Sequence, residues 1–231
     1  MINKFCLILG ATGGLGKEVV RELAKENNLI LVGRDKDCLK CLSEELKSKH
    51  FEIKTFICDF NDIQDTNMLI TILRDYYIDI LINCAGVFPV NPIENISLSD
   101  FDECINVNIK SPFFIMKSII EQMRNREKGL IINIGSSSSY NGFKNTSLYC
   151  LSKHALLGLN RSLVNELGEH NIKMIIISPG SFKSEMSKKV TWQNYDTFME
   201  PNDIAKYISF IISMKDTNIV DEIKLNRMHI Q

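Results

Sequence analysis

The sequence predicts an α/β fold in which about seven parallel strands form a doubly wound sheet with helices on both faces, and three observations predict it. Short runs rich in Ile, Leu and Val recur at 5–9, 29–32, 53–58, 78–83, 130–134, 174–177 and 219–225. Six of these seven are almost continuously apolar, as strands covered on both faces must be. The segments between them have helical periodicity, as in Leu15, Val19 and Leu23 at steps of four, with Glu18, Lys25 and Glu26 left for solvent. Such alternation is the pattern of right-handed crossovers in a parallel sheet. At 231 residues the chain is read as a single domain over 1–231, long enough to bury a large core without disulfides.

The first run passes directly into Gly10-Ala11-Thr12-Gly13-Gly14-Leu15-Gly16 and a helix. A pyrophosphate needs unpaired amide donors at a helix N-terminus and a close backbone approach, which residues without side chains allow. Gly10, Thr12, Gly13, Gly14, Leu15 and Gly16 are therefore candidate dinucleotide contacts. The spacing G-x3-G-x-G differs from the G-x-G-x-x-G of longer dehydrogenases, and a glycine-rich turn also serves as a plain tight connection. The second run ends in Gly33-Arg34-Asp35. An acidic residue at that strand end accepts from the ribose hydroxyls of NAD, but Gly33 stands in its place and Arg34 offers a 2′-phosphate a bidentate clamp. NADP(H) is the expected cofactor, with Asp35 arguing the other way and a solvated surface arginine as the plain alternative.

The third run ends at Cys58-Asp59-Phe60, where Asp59, with Phe60 beside it, is either an acceptor for an adenine amino group or the N-cap of the next helix. The fourth ends in Asn83-Cys84-Ala85-Gly86; Asn83, Ala85 and Gly86 are placed against a ligand at the carboxyl edge of the sheet, where open α/β sheets bind. Two later helices are apolar on two sides. One, at 101–124, carries Phe113, Phe114, Met116, Ile119, Ile120 and Met123; the other, at 148–168, carries Ala155, Leu156, Leu157, Leu159, Leu163, Val164 and Leu167. The sheet is one partner for such a helix, and a second copy of the chain is the expected other, giving a homodimer or homotetramer.

Ser136, in the loop leaving the fifth strand, is able to donate to a substrate oxygen. Tyr149 and Lys153 stand four residues apart and so share a helical face. A tyrosine at its ordinary pKa of about 10 is ill matched to proton transfer at neutral pH, and an adjacent ammonium is expected to lower that value. Alone, this tyrosine–lysine spacing is a common surface pair. Beyond the sixth run, 181–200 is read as a short substrate lid carrying Met186, Val190, Trp192, Tyr195, Phe198 and Met199. Its Lys183, Lys188 and Lys189 are read as a solvated face in preference to an anion site. Little chain follows Leu225, so the C-terminal contribution to substrate binding is expected to be minimal.

Taken in order, Gly10/Gly14/Gly16, Asn83-Cys84-Ala85-Gly86, Asn108, Ser136, Tyr149 with Lys153, and Pro179-Gly180 resemble the motif series of the classical short-chain dehydrogenase/reductase family over nearly the whole chain. The resemblance implies a three-layer Rossmann fold with a seven-stranded sheet, and a Ser-Tyr-Lys-Asn tetrad. In it Ser136 orients the carbonyl, Tyr149 transfers the proton, Lys153 also holds the nicotinamide ribose, and Asn108 positions a water chain behind the lysine. Asn108 would equally bend the fourth helix. Pro179 and Gly180 fall in the cofactor-binding set, and Ser184 stands where a threonine usually meets the nicotinamide carboxamide. Leu9, Cys84 and Gly135 depart from the family pattern without touching the proton-transfer groups.

The implied activity is reversible reduction of a ketone to a secondary alcohol, the substrate ranging from a 3-oxoacyl group to a keto sugar or small ketone. A catalytically silent dinucleotide-binding sensor or scaffold on the same fold is the alternative, against which the complete tetrad argues. Epimerisation of a nucleotide sugar would call for a larger substrate domain than the residues after Pro179 supply.

Other partner classes are excluded by charge and composition. A formal net charge of -1 provides no field for nucleic acid or an anionic membrane. No apolar run is long enough to span a bilayer, and Met1-Ile2-Asn3-Lys4 leads into no cleavage-site pattern, so a cytoplasmic protein is expected. Seven cysteines, an odd number mostly in apolar segments, read as reduced thiols. The Cys38/Cys41 pair lacks a second ligand pair, and His50, His154, His170 and His229 show no ligand spacing, so no metal is expected.

Overall fold

The computed structural model describes residues 4–47, 50–214 and 220–228; Met1, Ile2, Asn3, Ile219 and His229, which entered the sequence reading, lie outside the described residues. The chain runs β1 (Lys4–Leu9), α1 (Gly14–Leu23), β2 (Asn28–Gly33), α2 (Lys36–Glu45), β3 (Ile53–Ile57), α3 (Ile63–Leu73), β4 (Tyr77–Asn83), α4 (Leu98–Ile105), α5 (Ser111–Arg124), β5 (Gly129–Ile134), α6 (Ser147–Leu167), β6 (Ile172–Pro179), α7 (Pro201–Ser213) and β7 (Glu222–Leu225). All seven strands pair in parallel in the order β3-β2-β1-β4-β5-β6-β7. The order reverses direction between β1 and β4, which makes the carboxyl ends of these strands the switch point where such sheets open a crevice. The predicted doubly wound sheet is observed, with helices packed on each face.

Strand side chains alternate between two cores. Leu7, Leu9, Ile30 and Val32 pack on one face with Ile115, Met116, Ile119 and Met123 of α5. Ile8, Leu29 and Leu31 pack on the other with Val19, Val20 and Leu23 of α1 and Ile204 and Ile208 of α7. This is why most of the strand runs are nearly continuously apolar, because successive residues bury side chains on one face and then the other. One interruption occurs where Phe5 pairs with Ile78 but Cys6 pairs with Ile80, leaving Asp79 as an extra residue. The bulge turns Ile78 and Leu81, three apart, to the same core.

Between α4 and α5 the chain does not break but loosens into a π-helical turn at Asn106–Lys110. Asn108 sits inside it, as the bent-helix expectation required. After this turn α5 packs Ile115, Met116, Ile119 and Met123 against the sheet.

Candidate active site

A cleft of about 550 Å³ opens along the carboxyl ends of the strands. Its first wall is the turn from β1 into α1. Gly10 has φ +73°, and a Cβ there would stand 2.8 Å from the Ala85 backbone, so only glycine lets this turn lie against the loop after β4. The turn delivers the N-terminus of α1 to the cleft with its end uncapped: Gly13 has no capping side chain, and no acidic residue lies in the first turn. The other long helices of this half are satisfied internally, α2 by Asp35, α3 by Asp62 and α4 by a Ser97–Asp100 capping box. Free amide donors and the positive end of the helix dipole therefore face the cleft at α1 alone among these four, which fits the pyrophosphate of a dinucleotide.

Gly10, Thr12, Gly13, Gly14, Leu15 and Gly16 all border the cleft, as do Arg34, Asp59, Phe60, Ala85, Gly86, Pro179, Gly180 and Ser184. A side chain at position 33 would meet Thr12 Oγ1 at 2.8 Å, so the strand end has no room for the acidic residue that would greet a ribose. Arg34 lies exposed at the mouth; Asp35 also borders the cleft, with its carboxylate accepting from the Cys38 N–H at 2.9 Å as the cap of α2. Asp59 is not the helix cap: Asp62 accepts from Gln64 N at the start of α3, and Asp59 accepts from Asn61 N at 3.0 Å in a local turn. Asn83 does not border the cleft. Its side chain is buried beneath the floor, where it accepts from Ala85 N at 3.2 Å and so holds the loop that does.

Tyr149 and Lys153 project from α6 into the same cleft, opposite Ser136 of the β5 loop. The Ser136 hydroxyl accepts from Ser138 N at 3.1 Å and faces the Tyr149 phenol closely enough to lower its pKa. Lys153 is buried, donates to the Ile134 carbonyl at 2.8 Å, and places Nζ 5.7 Å from the centre of the Tyr149 ring. Burial pushes the phenol up to about 12, with the Ser136 hydroxyl pulling against it. Burial likewise lowers Lys153 to about 8, partly opposed by Cys104 and Cys84. The phenol is thus raised and not lowered as expected, because the loss of water on burial is the largest influence on it. Tyr149 is held as a proton donor.

Asn108 also lies behind the cleft wall, not on it. Its Oδ1 accepts from Val87 N at 2.7 Å, and its Nδ2 donates to Val87 O at 3.1 Å and Ser152 Oγ at 2.9 Å. Ser152 Oγ in turn donates to the Tyr149 carbonyl at 2.8 Å, so this amide links the loop after Gly86 to the turn of α6 that bears the phenol.

Several bordering residues carried no signal in the sequence. Phe88 packs edge-on to Tyr149 with ring centres 4.6 Å apart, and Lys17, Phe143 and Gln193 also line the cleft. The lid segment, with Met186, Val190 and Trp192 on the cleft, is closed at its base by the Phe182–Met199 bridge. Of the lid lysines, Lys183 pairs with Glu200, Lys188 pairs with Glu185 at 2.5 Å and Lys189 donates to Phe88 O at 3.3 Å, which agrees with a solvated face. From the C-terminal segment Arg227 donates to Thr197 Oγ1 at 2.7 Å and lies 5.1 Å from the centre of the Phe198 ring, so it holds the lid segment without itself bordering the cleft.

Among the described residues no group of three or more His, Cys, Asp or Glu is arranged to hold a metal. Comparison with known proteins gives the same outline as the geometry. The family model described as short chain dehydrogenase matches residues 4–194. The chain is 31% identical over 235 residues to a 3-oxoacyl-[acyl-carrier-protein] reductase FabG of Buchnera aphidicola subsp. Schizaphis graminum, covering 95% of this chain and 94% of that protein. It is 29% identical over 226 residues to the same-named protein of Rickettsia bellii, covering 94% and 92%. Among solved structures, a metagenomic short-chain oxidoreductase in complex with NADP superposes with a TM-score of 0.85 at 25% identity over 99% of this chain and 98% of that one.

Proposed function

Because this chain belongs to the short-chain dehydrogenase family, we propose that it is an NADP(H)-dependent oxidoreductase that interconverts a ketone and a secondary alcohol, with a 3-oxoacyl thioester as the substrate its relatives point to. The observation that carries the reading is a protonated phenol, Tyr149, held beside a buried ammonium and a serine hydroxyl across the cleft from an uncapped helix N-terminus. Such a set is of no use to a protein that merely senses a nucleotide.

NADPH supplies the hydride, and the chain supplies everything else. Gly10, Thr12, Gly13, Gly14, Leu15 and Gly16 would hold the pyrophosphate and Arg34 the 2′-phosphate. Asp59 and Phe60 receive the adenine; Ala85, Gly86, Pro179, Gly180 and Ser184 line the remainder, with Asn83 acting from beneath the floor. Ser136 donates to the carbonyl oxygen and keeps it in place. Tyr149 gives that oxygen its phenolic proton, so ketone, NADPH and one proton yield alcohol and NADP. Lys153 holds the nicotinamide ribose, and its ammonium stabilises the phenolate left behind. Asn108 supports that end of the path by fixing the wall behind Lys153.

The direct test is NADPH oxidation with acetoacetyl thioester in excess. Wild type should turn over, and Tyr149→Phe should lose on the order of 10²-fold or more in kcat with NADPH binding kept. Full turnover by that variant would remove Tyr149 from the mechanism. Arg34→Ser should weaken NADPH by roughly tenfold or more while leaving NADH nearly unchanged, since only the former has a phosphate to lose a charged hydrogen bond. Equal weakening of both cofactors would show that Arg34 does not read the phosphate.

The chain is taken to act as a single domain over 1–231 and as a homodimer or homotetramer through the outer faces of α4, α5 and α6. No helix among the described residues is long and apolar enough to cross a membrane, and its free cysteines suit a reducing compartment, the cytoplasm.

A further inference from the structure

At the carboxyl ends of β4 and β5 three primary amides stand in line inside the core. Asn83, Asn133 and Asn160 are 1%, 0% and 0% exposed. Asn83 and Asn133 are register partners on adjacent strands, and Asn160 lies on α6. Ala85 N donates to Asn83 Oδ1 at 3.2 Å, Asn83 Nδ2 donates to Asn133 Oδ1 at 3.2 Å, and Asn133 Nδ2 donates to Asn160 Oδ1 at 3.3 Å. Asn160 Nδ2 ends the row without a partner among the described residues.

The direction of the row follows from its first member. A backbone N–H only donates, so Ala85 fixes the Asn83 oxygen toward itself and the Asn83 nitrogen toward Asn133, and the same choice passes on to Asn160. Turning Asn160 over would set two amide nitrogens against each other. Leucine or valine would fill these positions without an unpaired donor, and a buried amide group left unpaired bears its full desolvation cost. What the row provides is a stiff link from the loop at Ala85 and Gly86, through two strands, to the helix that bears Tyr149 and Lys153.

A second link lies beside it. Lys153 Nζ donates to the carbonyl of Ile134, the residue after Asn133, at 2.8 Å. Lys153 and Asn160 are two turns apart on one face of α6, roughly 10 Å along its axis. Holding a helix at two points fixes both its rotation and its height, and a catalytic group displaced by about 1 Å can lose on the order of 10²-fold in rate.

We propose that Asn133 and Asn160 are positioning residues for the proton-transfer pair: the amide row sets the rotation of α6 against Ala85, and through it the places of Tyr149 and Lys153. Neither side chain borders the cleft. Turnover is meaningful only if the protein is the reductase proposed above, so a ligand-free readout stands beside the kinetic one.

Asn160→Leu keeps the branching and heavy-atom count of the side chain and removes both the acceptor and the unpaired donor. Its melting temperature should stay within a few degrees, NADPH binding within about twofold, and kcat should fall roughly tenfold with KM for acetoacetyl thioester unchanged. Asn160→Asp, which keeps an oxygen facing Asn133, should recover most of kcat. In ligand-free protein, an NMR titration of Lys153 Nζ should move up toward the ordinary lysine range in the Leu variant and return in the Asp variant. Should the Leu variant not fold, Asn160→Ser, whose hydroxyl is too short to reach Asn133, is read in the same way. A folded Leu or Ser variant with unchanged kcat and unchanged Lys153 titration overturns the proposal, and so does an equal loss in the Asp variant. Wild-type protein that reduces no thioester defeats the reductase reading alone, and the Lys153 titration then decides this one.

Discussion

A lysine ammonium at 4% exposure is held in the core against its hydration, and the folded protein bears that cost only while the group is charged. Lys153 falls to about 8 when folded, against an ordinary value of 10.5. Below pH 8 both states bind the proton, and the destabilisation is complete. Between pH 8 and 10.5 the unfolded chain binds more protons than the folded one, so this residue's contribution to stability rises with pH; above 10.5 both are neutral. Lys153→Met removes the group and should therefore unfold at a higher temperature than wild type at pH 7, by the equivalent of up to about 3 kcal/mol. The gap should narrow from pH 8 to 10, before tyrosine ionisation intrudes, and the variant should be inactive throughout. Calorimetry across that range checks it; a gap that does not change with pH would mean that Lys153 titrates alike in the folded and the unfolded protein and carries no burial cost.

At the scale of elements, α1 is a helix left unfinished at the end that matters. Asp35, Asp62 and Ser97 complete α2, α3 and α4, whereas Gly13 at the same position of α1, with φ -74° and ψ 167°, has a backbone that any residue adopts and supplies no oxygen. Gly13→Asp should therefore stabilise the ligand-free protein by a few tenths to about 1 kcal/mol through capping and the helix dipole. It should weaken NADPH at least roughly tenfold, because the new carboxylate takes the donors and repels the phosphates. Higher melting temperature with unaltered NADPH affinity would show that the pyrophosphate lies elsewhere. This element was legible in the sequence because its chemistry is local: a strand, a glycine turn and a helix start within a few residues. Six of the seven strand runs were legible for a similar reason, each nearly continuous in apolar character in its own composition. Phe88, Arg227 and Asn160 were not, since each acts through a partner far along the chain and belongs to no pattern around itself. The pKa of Tyr149 was misjudged because spacing reports that Lys153 is near but not how dry the pair is. Asp59 stands between adenine acceptor and helix cap in the sequence because only the backbone shows that α3 begins further on, with Asp62 as its cap.

For the molecule as a whole, the faces of α4, α5 and α6 turned away from the sheet remain to be covered. Phe101, Phe113, Phe114 and Leu151 are 42%, 39%, 40% and 49% exposed, with Phe113 and Phe114 packed edge to face at 5.5 Å. Arg124 and Glu166 join α5 to α6 at 2.7 Å, so these helices offer one continuous surface. Large apolar side chains on adjoining helices are costly to leave in water and are the composition of an isologous interface. The same helix, α6, carries Leu151 outward and Tyr149 and Lys153 inward, so a partner pressed on its outer face also restrains the proton-transfer pair. Phe114→Glu should shift the protein to monomer in light scattering at micromolar concentration, because a second copy would bury like charges against each other. The monomer should keep its fold and its NADPH affinity but lose several-fold in kcat, as α6 gains freedom on its unsupported side. A wild type that is itself monomeric would end the interface proposal, and a monomeric variant with full kcat would end the link between assembly and catalysis while leaving the interface standing.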